Sequence, residues 1–247
     1  MLIMNAVAGT SIPELASGPV IPAALAARVA AAALVVSGPV GIAGHWMHPG
    51  GHDTLANPQH ALWVPAHGLL LLAYLLTLLA LPAVYGRVAP RVGVFGLAAF
   101  VMTCLGLAHG VMVMNTEVFI VQPLAMDEAS ASAALRVLHG TLPEPLPWVG
   151  TLFWWCGTLG ALLFGAALLR AGRAWRAAAV ALMLGAPTFI LLEMTGNGRL
   201  GFLTGFSLLH AGFAIAGALL WRVSNTPSIA SAPADAGSTR RELAPSL

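Results

Sequence analysis

Residues 61–86 read ALWVPAHGLLLLAYLLTLLALPAVYG, a run of 26 residues without a charged side chain. An α-helix rises about 1.5 Å per residue, so about 20 apolar residues cross a hydrocarbon core of about 30 Å. The run is long enough to span a lipid bilayer. We therefore predict a transmembrane helix over Ala61–Gly86.

Further stretches of the same character flank this run on both sides. They are Val20–Gly44, Val92–Thr116, Trp148–Leu169, Ala177–Met194 and Leu200–Trp221. The first is interrupted by Arg28 and Pro39, and an arginine near a helix end can extend its charge to the headgroups. The pattern predicts an all-α protein, a polytopic membrane bundle of about six transmembrane helices.

The composition leaves no room for a separate soluble domain. Hydrophobic residues make up 58% of the chain and charged residues 8%, whereas soluble domains carry about 25% charged residues. We predict a short cytoplasmic segment over residues 1–21 and a six-helix transmembrane domain over residues 22–222. Residues 223–247, rich in Ser, Pro and Ala, are predicted to be a disordered cytoplasmic tail.

Several classes of chemistry and of partner are disfavoured by the residue types present. Lysine is absent, so a Schiff base to a carbonyl cofactor has no amine. No basic patch interleaved with aromatic residues occurs, so we expect no nucleic-acid partner. Cys104 and Cys156 lie inside apolar runs, where they are expected to be small buried hydrophobes.

The arginines predict the orientation of the bundle. Nine of the 11 arginines fall on one side of six predicted crossings, and only Arg136 and Arg199 fall on the other. The positive-inside rule makes the arginine-rich side cytoplasmic, which places both termini there. We expect a multi-pass protein of a cell membrane, the bacterial cytoplasmic membrane, with the lipid bilayer as its main partner.

The eight histidines gather in the outer half of this arrangement or near its midplane. His67, His109 and His210 lie inside the second, third and sixth predicted spans, at depths of about 9, 10 and 15 Å. Ionisable groups within a span usually face the bundle interior. We predict that these three bind a cofactor, either a transition metal ion or haem b, whose ligands are commonly imidazoles.

Two carboxylates lie at the outer ends of predicted spans. Glu117 and Glu193 are the predicted catalytic residues, acting on protons or fixing the tautomers of the imidazoles. On the third span, His109, Met112 and Thr116 follow helical spacing and Glu117 is only partly displaced from their face, so imidazole, thioether and carboxylate are expected together as possible metal ligands.

A histidine-rich run, HWMHPGGHD, occupies residues 45–53. His45, His48 and His52 are further candidate metal ligands, which would recruit Cu or Zn at the outer surface. Alternatively, Pro49-Gly50-Gly51 is simply a turn and the histidines end the first helix near the headgroups. We favour the turn.

These observations support three hypotheses for function. The first is a metal or haem site near the outer face, with redox or metal-assisted chemistry on a lipid-soluble or periplasmic partner. The second is a transporter of a metal or small solute, although Thr77 and Thr103 are almost the only polar residues in the inner halves of the spans. The third is a non-catalytic subunit of a larger membrane complex, in which the histidines bond between helices.

Overall fold

A computed structural model of the chain describes residues 22–49, 58–127, 129–132 and 146–225. The predicted N-terminal segment 1–21, most of the predicted tail 223–247, and His52 lie outside these residues. All regular structure in the described residues is helical.

Six helices follow one another along the described chain. They are α1 (Ala23–Met47), α2 (Trp63–Thr116), α3 (Gln122–Met126), α4 (Leu146–Ala171), α5 (Arg176–Met194) and α6 (Gly198–Ser224). A π-helical turn, Glu117–Val121, joins α2 to α3, and a 3₁₀ turn, Arg173–Trp175, precedes α5. Helix α1 continues through Arg28 and Pro39, the residues that interrupt its apolar sequence.

Five helical stretches of the described residues are long and apolar enough to cross a membrane: Ala23–Met47, Trp63–Met126, Trp148–Ala171, Arg173–Met194 and Gly198–Ser224. Large apolar side chains such as Leu79 and Val94 point outward and are 76% and 83% exposed. Such a surface is stable against lipid tails and not against water. The prediction of an all-α chain with several helices long and apolar enough to span a membrane is confirmed.

Helix α2 reverses direction at Gly93, whose backbone (φ 55°, ψ −149°) lies in a region that only glycine adopts readily. Across the reversal, the rings of Tyr85 and Phe100 stack with centroids 4.6 Å apart. At the far end, the indole N–H of Trp63 donates to the Glu117 carbonyl at 3.1 Å. The helix therefore folds into two antiparallel arms, a first arm over 63–92 and a second arm over 94–116.

The helices form a closed ring in chain order. The first arm of α2 packs against α1 and the second against α4, while α5 and α6 complete the ring back to α1. Glycines allow the closest approaches: Gly106 meets Gly157 backbone to backbone, and a Cβ at Gly205 would lie 2.8 Å from the Gly185 carbonyl. Small residues are what let membrane helices approach this closely.

The half of the ring nearer the Gly93 reversal is packed with apolar side chains, among them Leu34, Val84, Phe164 and Leu182. The buried hydroxyls found along the helices bond within their own helix. Thr77 donates to the Ala73 carbonyl and Thr103 to the Ala99 carbonyl, both at 2.8 Å. Apart from the arginines near the reversal, the polar side chains of the described residues that remain available lie in the other half of the ring.

Candidate functional site

A cavity of about 440 Å³ lies inside the ring, and side chains from both arms of α2 and from α1, α4, α5 and α6 line it. Its volume falls in the range of about 300–1,000 Å³ that small-molecule sites occupy. The walls are largely aromatic, with Trp154, Phe189, Phe202, Phe206 and Phe213. Its polar lining includes His45, His48, His109, His210, Glu117 and Tyr74.

Three side chains meet at one nitrogen on the edge of the cavity. The Nε2 of His67 lies 2.6 Å from Oε2 of Glu117 and 3.1 Å from Nε2 of His48. On its other side, the Nδ1 of His67 lies 2.7 Å from the Trp63 carbonyl. We call His48, His67 and Glu117 the polar triad.

The geometry of the polar triad requires a positive charge or a proton at its centre. A carbonyl only accepts, so the Nδ1 of His67 carries a hydrogen and donates to Trp63. In a neutral imidazole, Nε2 would then present a lone pair to the carboxylate oxygen of Glu117, and the two would repel. A proton between His67 and Glu117 makes this a short charge-assisted hydrogen bond.

The π-helical turn positions Glu117 for this contact. Its carbonyl accepts both the N–H of Gln122, five residues on, and the indole N–H of Trp63. The carboxylate starts from the wide turn and reaches the first arm, where His67 is fully buried. Single π turns inside α-helices occur frequently at functional sites.

His45 and His210 form a second imidazole cluster, on α1 and α6. Their ring centroids lie 5.2 Å apart, and the two side chains are 2% and 3% exposed. Both ring nitrogens of His45 and the Nδ1 of His210 are buried and have no hydrogen-bond partner among the described residues. Buried polar atoms are nearly always satisfied, so such atoms at a cavity indicate that something else bonds to them.

The sequence of α1 creates the space for this cluster. Gly38, Gly41 and His45 follow helical spacing and share the face that packs on α6. A Cβ at Gly41 would overlap the imidazole ring of His210. One face of α1 thus receives the ring of His210 and presents the ring of His45.

Aromatic contacts join the two clusters. The ring of Phe202 lies 5.3 Å from that of His48 and 4.8 Å from that of His45, centroid to centroid. His45 also stacks on Phe206 at 4.6 Å. The polar triad and the His45–His210 cluster are therefore two parts of one site.

His109 lines the same cavity from the second arm, where its ring stacks on Phe153 of α4 with centroids 6.2 Å apart. Its Nδ1 is buried and has no partner among the described residues. The expected companion Met112 does not share its surroundings, because it is 54% exposed and is not among the residues lining the cavity. Met112 therefore adds no thioether to the lining of this cavity.

The structure thus brings some predicted residues together and separates others. His67 joins Glu117 and His48, and His210 joins His45. Glu193 lies at the end of α5 and is not among the residues that line the cavity, whereas His52 lies outside the described residues.

Two features of the site were missed from the sequence. The turn predicted at Pro49-Gly50-Gly51 lies mostly outside the described residues. His45 does belong to the last turn of α1, but the expectation that it meets the headgroups is wrong, because its side chain is buried. The spacing of Gly38, Gly41 and His45 was the available signal. Tyr74, whose ring lies 5.7 Å from that of His210, had no signal apart from being a lone polar aromatic in a leucine-rich run.

The polar triad is not the predicted ligand set of His67, His109 and His210, and as positioned it does not form a metal or haem site by itself. Among the described residues, no three His, Cys, Asp or Glu side chains are arranged so that they could hold a metal ion. Two imidazoles on opposite sides of a haem iron need about 4 Å between their nitrogens, since each metal–nitrogen bond is about 2 Å. The Nε2 atoms of His48 and His67 are 3.1 Å apart, which is too close for that arrangement.

Comparison with known proteins gives no match: no family model, no curated protein and no solved structure is significantly similar to this chain.

Proposed function

We propose that the chain crosses the bacterial cytoplasmic membrane six times, with both termini on the cytoplasmic side. The antiparallel arms of α2 support two crossings for this one long helix. The arginine-bearing ends of α2's arms and of α4 also pack together. Arg91, near the reversal of α2, donates to the carbonyl of Ala171 at the end of α4, at 3.1 Å. With the reversal of α2 on the cytoplasmic side, the cavity lies toward the outer face.

We further propose that the protein binds a small lipid-soluble molecule in this cavity. The polar groups of that molecule would both donate hydrogen bonds to the protein and accept them from it. The observation that carries the proposal is the pair of unpartnered, buried nitrogens of His45. A neutral imidazole has one donor and one acceptor nitrogen. Leaving either unsatisfied costs about 1–3 kcal/mol, so a ligand that meets both gains specificity as well as affinity.

The walls of the cavity favour an apolar ligand body. Phe202, Phe206 and Trp154 offer flat surfaces, and rings of a ligand stack on such surfaces favourably. The cavity also lies between membrane helices, where a lipid-soluble molecule can arrive from the bilayer. The proposed ligand is therefore a compact, ring-containing molecule with polar groups at one edge.

The polar triad orients the polar edge of the ligand. His48 and Glu117 line the cavity, while His67 stands behind them and is fixed by the Trp63 carbonyl. A hydroxyl or carbonyl of the ligand beside His48 joins a hydrogen-bond network that is already preorganised, so little further ordering is needed. The proposal covers a substrate, a cofactor or a stored molecule alike.

The apolar packing below the cavity favours a bound ligand over a transported one. The sequence placed Thr77 and Thr103 in the inner halves. Each hydroxyl donates a hydrogen bond to a backbone carbonyl of its own helix. A carrier for a metal or polar solute needs polar groups along its whole path. The described inner halves of the helices supply almost none.

The decisive experiment compares His45→Phe with the wild type. Phe preserves the stack on Phe206 and removes both nitrogens, and no hydrogen bond to a described residue is lost, so the fold is retained. Protein purified from its native membrane is extracted with organic solvent, and the extract is analysed by mass spectrometry. We expect a small molecule near one per chain in the wild type and its loss in His45→Phe.

A matched control is His60→Phe, since His60 is exposed and does not line the cavity. Returning the extracted molecule should stabilise the wild type and His60→Phe, by about 2.7 kcal/mol at a hundredfold excess over Kd, and leave His45→Phe unchanged. An extract without an enriched molecule, or equal binding by all three proteins, would refute the proposal.

Metal binding is the second candidate function, and one observation favours it. A cation in place of the shared proton would draw on the two Nε2 atoms of His48 and His67 and on Oε2 of Glu117, once these side chains move apart. His67 already has the backbone partner that typically orients a metal-bound imidazole. Transition metals accept this mixture of imidazole and carboxylate ligands.

Elemental analysis and a visible spectrum of the same preparation separate the two candidates. Near-stoichiometric metal that is lost in Glu117→Gln and retained in His60→Phe would establish a metal site. A Soret band abolished by His67→Ala or His109→Ala would establish haem. A colourless, metal-free protein that carries the small molecule supports the first candidate.

A further inference from the structure

A second cavity, of about 430 Å³, lies at the opposite end of the ring from the histidines. It forms where the reversal of α2, the turn before α5 and the end of α6 meet. Its lining residues are Arg87, Pro90, Arg91, Ala174, Trp175 and Val223. We call it the inner cavity.

Arg87 and Arg91 bring two guanidinium groups to this cavity, and both side chains are exposed. Arg91 is anchored by one hydrogen bond from its Nη1 to the Ala171 carbonyl, which leaves most of its five N–H donors for another acceptor. Arg170, nearby, is engaged differently, with its guanidinium 4.4 Å from the centre of the Phe95 ring. The remaining walls are apolar, and Trp175 is 4% exposed.

The acidic side chains of the described residues do not neutralise this charge. They are Glu117, Asp127 and Glu193. Glu117 meets the outer end of the first arm, Asp127 follows α3, and Glu193 lies at the end of α5 that is opposite Arg176. Within the described part of the chain, the inner cavity is therefore a positively charged pocket with apolar walls.

We propose that the inner cavity binds the phosphate headgroup of an anionic phospholipid from the cytoplasmic leaflet. Guanidinium groups bind phosphate oxygens through two parallel hydrogen bonds, and basic pockets between helices on this side recognise anionic headgroups. Trp175, Pro90 and Val223 would contact the glycerol and the first methylene groups. The proposal rests on the proposed orientation and is independent of the ligand in the outer cavity.

The test uses the full chain in lipid nanodiscs made of phosphatidylcholine with a small fraction of phosphatidylglycerol. Lipids that stay bound after release from the nanodisc are counted by native mass spectrometry. The wild type is compared with Arg87→Gln/Arg91→Gln. Arg28→Gln/Arg173→Gln is the matched control, because it removes the same charge from two arginines that are also exposed but do not line the cavity.

We expect the wild type to retain phosphatidylglycerol in preference to phosphatidylcholine. The cavity variant should lose about tenfold or more in this preference, since a hydrogen bond to a charged group contributes at least about that factor and the general surface attraction is equal in both double variants. The control should keep the preference to within about twofold. A wild type without preference, or an equal loss in the control, overturns the proposal.

Two further arms complete the test. Inorganic phosphate is added to protein in neutral detergent, and thermal stabilisation that depends on Arg87 and Arg91 without any lipid preference would assign the cavity to a soluble anion and overturn the lipid proposal. Unfolding midpoints of both double variants show whether they are folded. If the cavity variant unfolds, Arg87→Lys/Arg91→Lys replaces it, since lysine keeps the charge without the planar guanidinium group. An unchanged lipid preference in this lysine variant would overturn the proposal that the guanidinium groups bind the phosphate.

Discussion

The ring of His210 occupies space that only a glycine on the facing helix leaves open. A side chain at Gly41 would overlap its Cγ, Nδ1 and Cε1 atoms, so α1 and α6 fix this imidazole by shape. His67 is fixed by hydrogen bonds instead, through Trp63 on one side and Glu117 on the other. The two imidazoles thus lie in one site and are held by different physical means.

The first prediction at this scale concerns Gly41→Ala. The added methyl group forces the His210 ring to shift in a packed interior, which typically costs about 1–3 kcal/mol. We expect a lower midpoint of unfolding in sodium dodecyl sulfate and weaker binding of the extracted ligand. Gly68→Ala is the control, because a Cβ there meets nothing within 4 Å, and an equal loss in both variants would contradict the argument.

A second prediction at the residue scale concerns Glu117→Ala. Removal of the carboxylate leaves the fully buried Nε2 of His67 without its closest partner, at an expected cost of about 1–3 kcal/mol in the free energy of unfolding. Asp127→Ala, at an exposed carboxylate, should change it by less than about 0.5 kcal/mol. Equal stability of Glu117→Ala and the wild type would show that the contact to His67 is not formed.

At the scale of elements, α2 is an unusual helix because one residue reverses it. Arg87, Pro90 and Arg91 remain helical, and the change of direction falls on Gly93 alone. A Cβ at this position would have open space around it, so the constraint there is backbone conformation and not packing. The antiparallel contact of Tyr85 with Phe100 depends on that conformation.

Gly93→Ala should therefore destabilise the protein although it creates no clash. A side chain at φ 55° and ψ −149° costs about 1–3 kcal/mol. Gly86→Ala is the matched control, since it too has open space but a helical backbone, where alanine is the better residue by up to about 1 kcal/mol. The unfolding midpoints of the two variants should move in opposite directions, and a common direction would count against the reversal.

At the scale of the whole molecule, the ring has a histidine-rich end and an arginine-bearing end, with apolar packing between them. Imidazoles, Glu117 and Tyr74 surround the cavity at one end, and arginines surround the inner cavity at the other. This asymmetry follows the membrane normal in the proposed orientation. In that orientation, the proposed ligand site and the proposed lipid site lie in different leaflets.

Cysteine labelling of intact cells checks this orientation. In a variant without Cys104 and Cys156, we expect a membrane-impermeant maleimide to label Thr195→Cys from outside. Ala174→Cys and Gly86→Cys should react only after the cells are permeabilised. Labelling of Gly86→Cys from outside would mean that the two arms of α2 do not make two crossings. The opposite labelling pattern at all three sites would mean that the protein has the inverted orientation in the membrane.

The sequence by itself determined the class of fold. Long uncharged runs such as residues 61–86 have no stable place in water, and their length matches a bilayer, so helical membrane segments follow from solvation and backbone hydrogen bonding alone. The depths of His67 and His210 could also be counted along their spans, because the rise of a helix is constant. The direction in which each side chain points around its helix could not be obtained by such counting.

Only the tertiary structure decided which polar groups meet. The contacts of His67 with Glu117 and of His45 with His210 join residues far apart in the chain. Their meeting depends on the rotation of each helix about its axis, which is fixed by close approaches such as Gly41 under His210 and by the single reversal at Gly93. In a chain this uniformly apolar, the hydrophobic pattern hardly distinguishes one helix face from another, so packing sets the rotation and thereby forms the site.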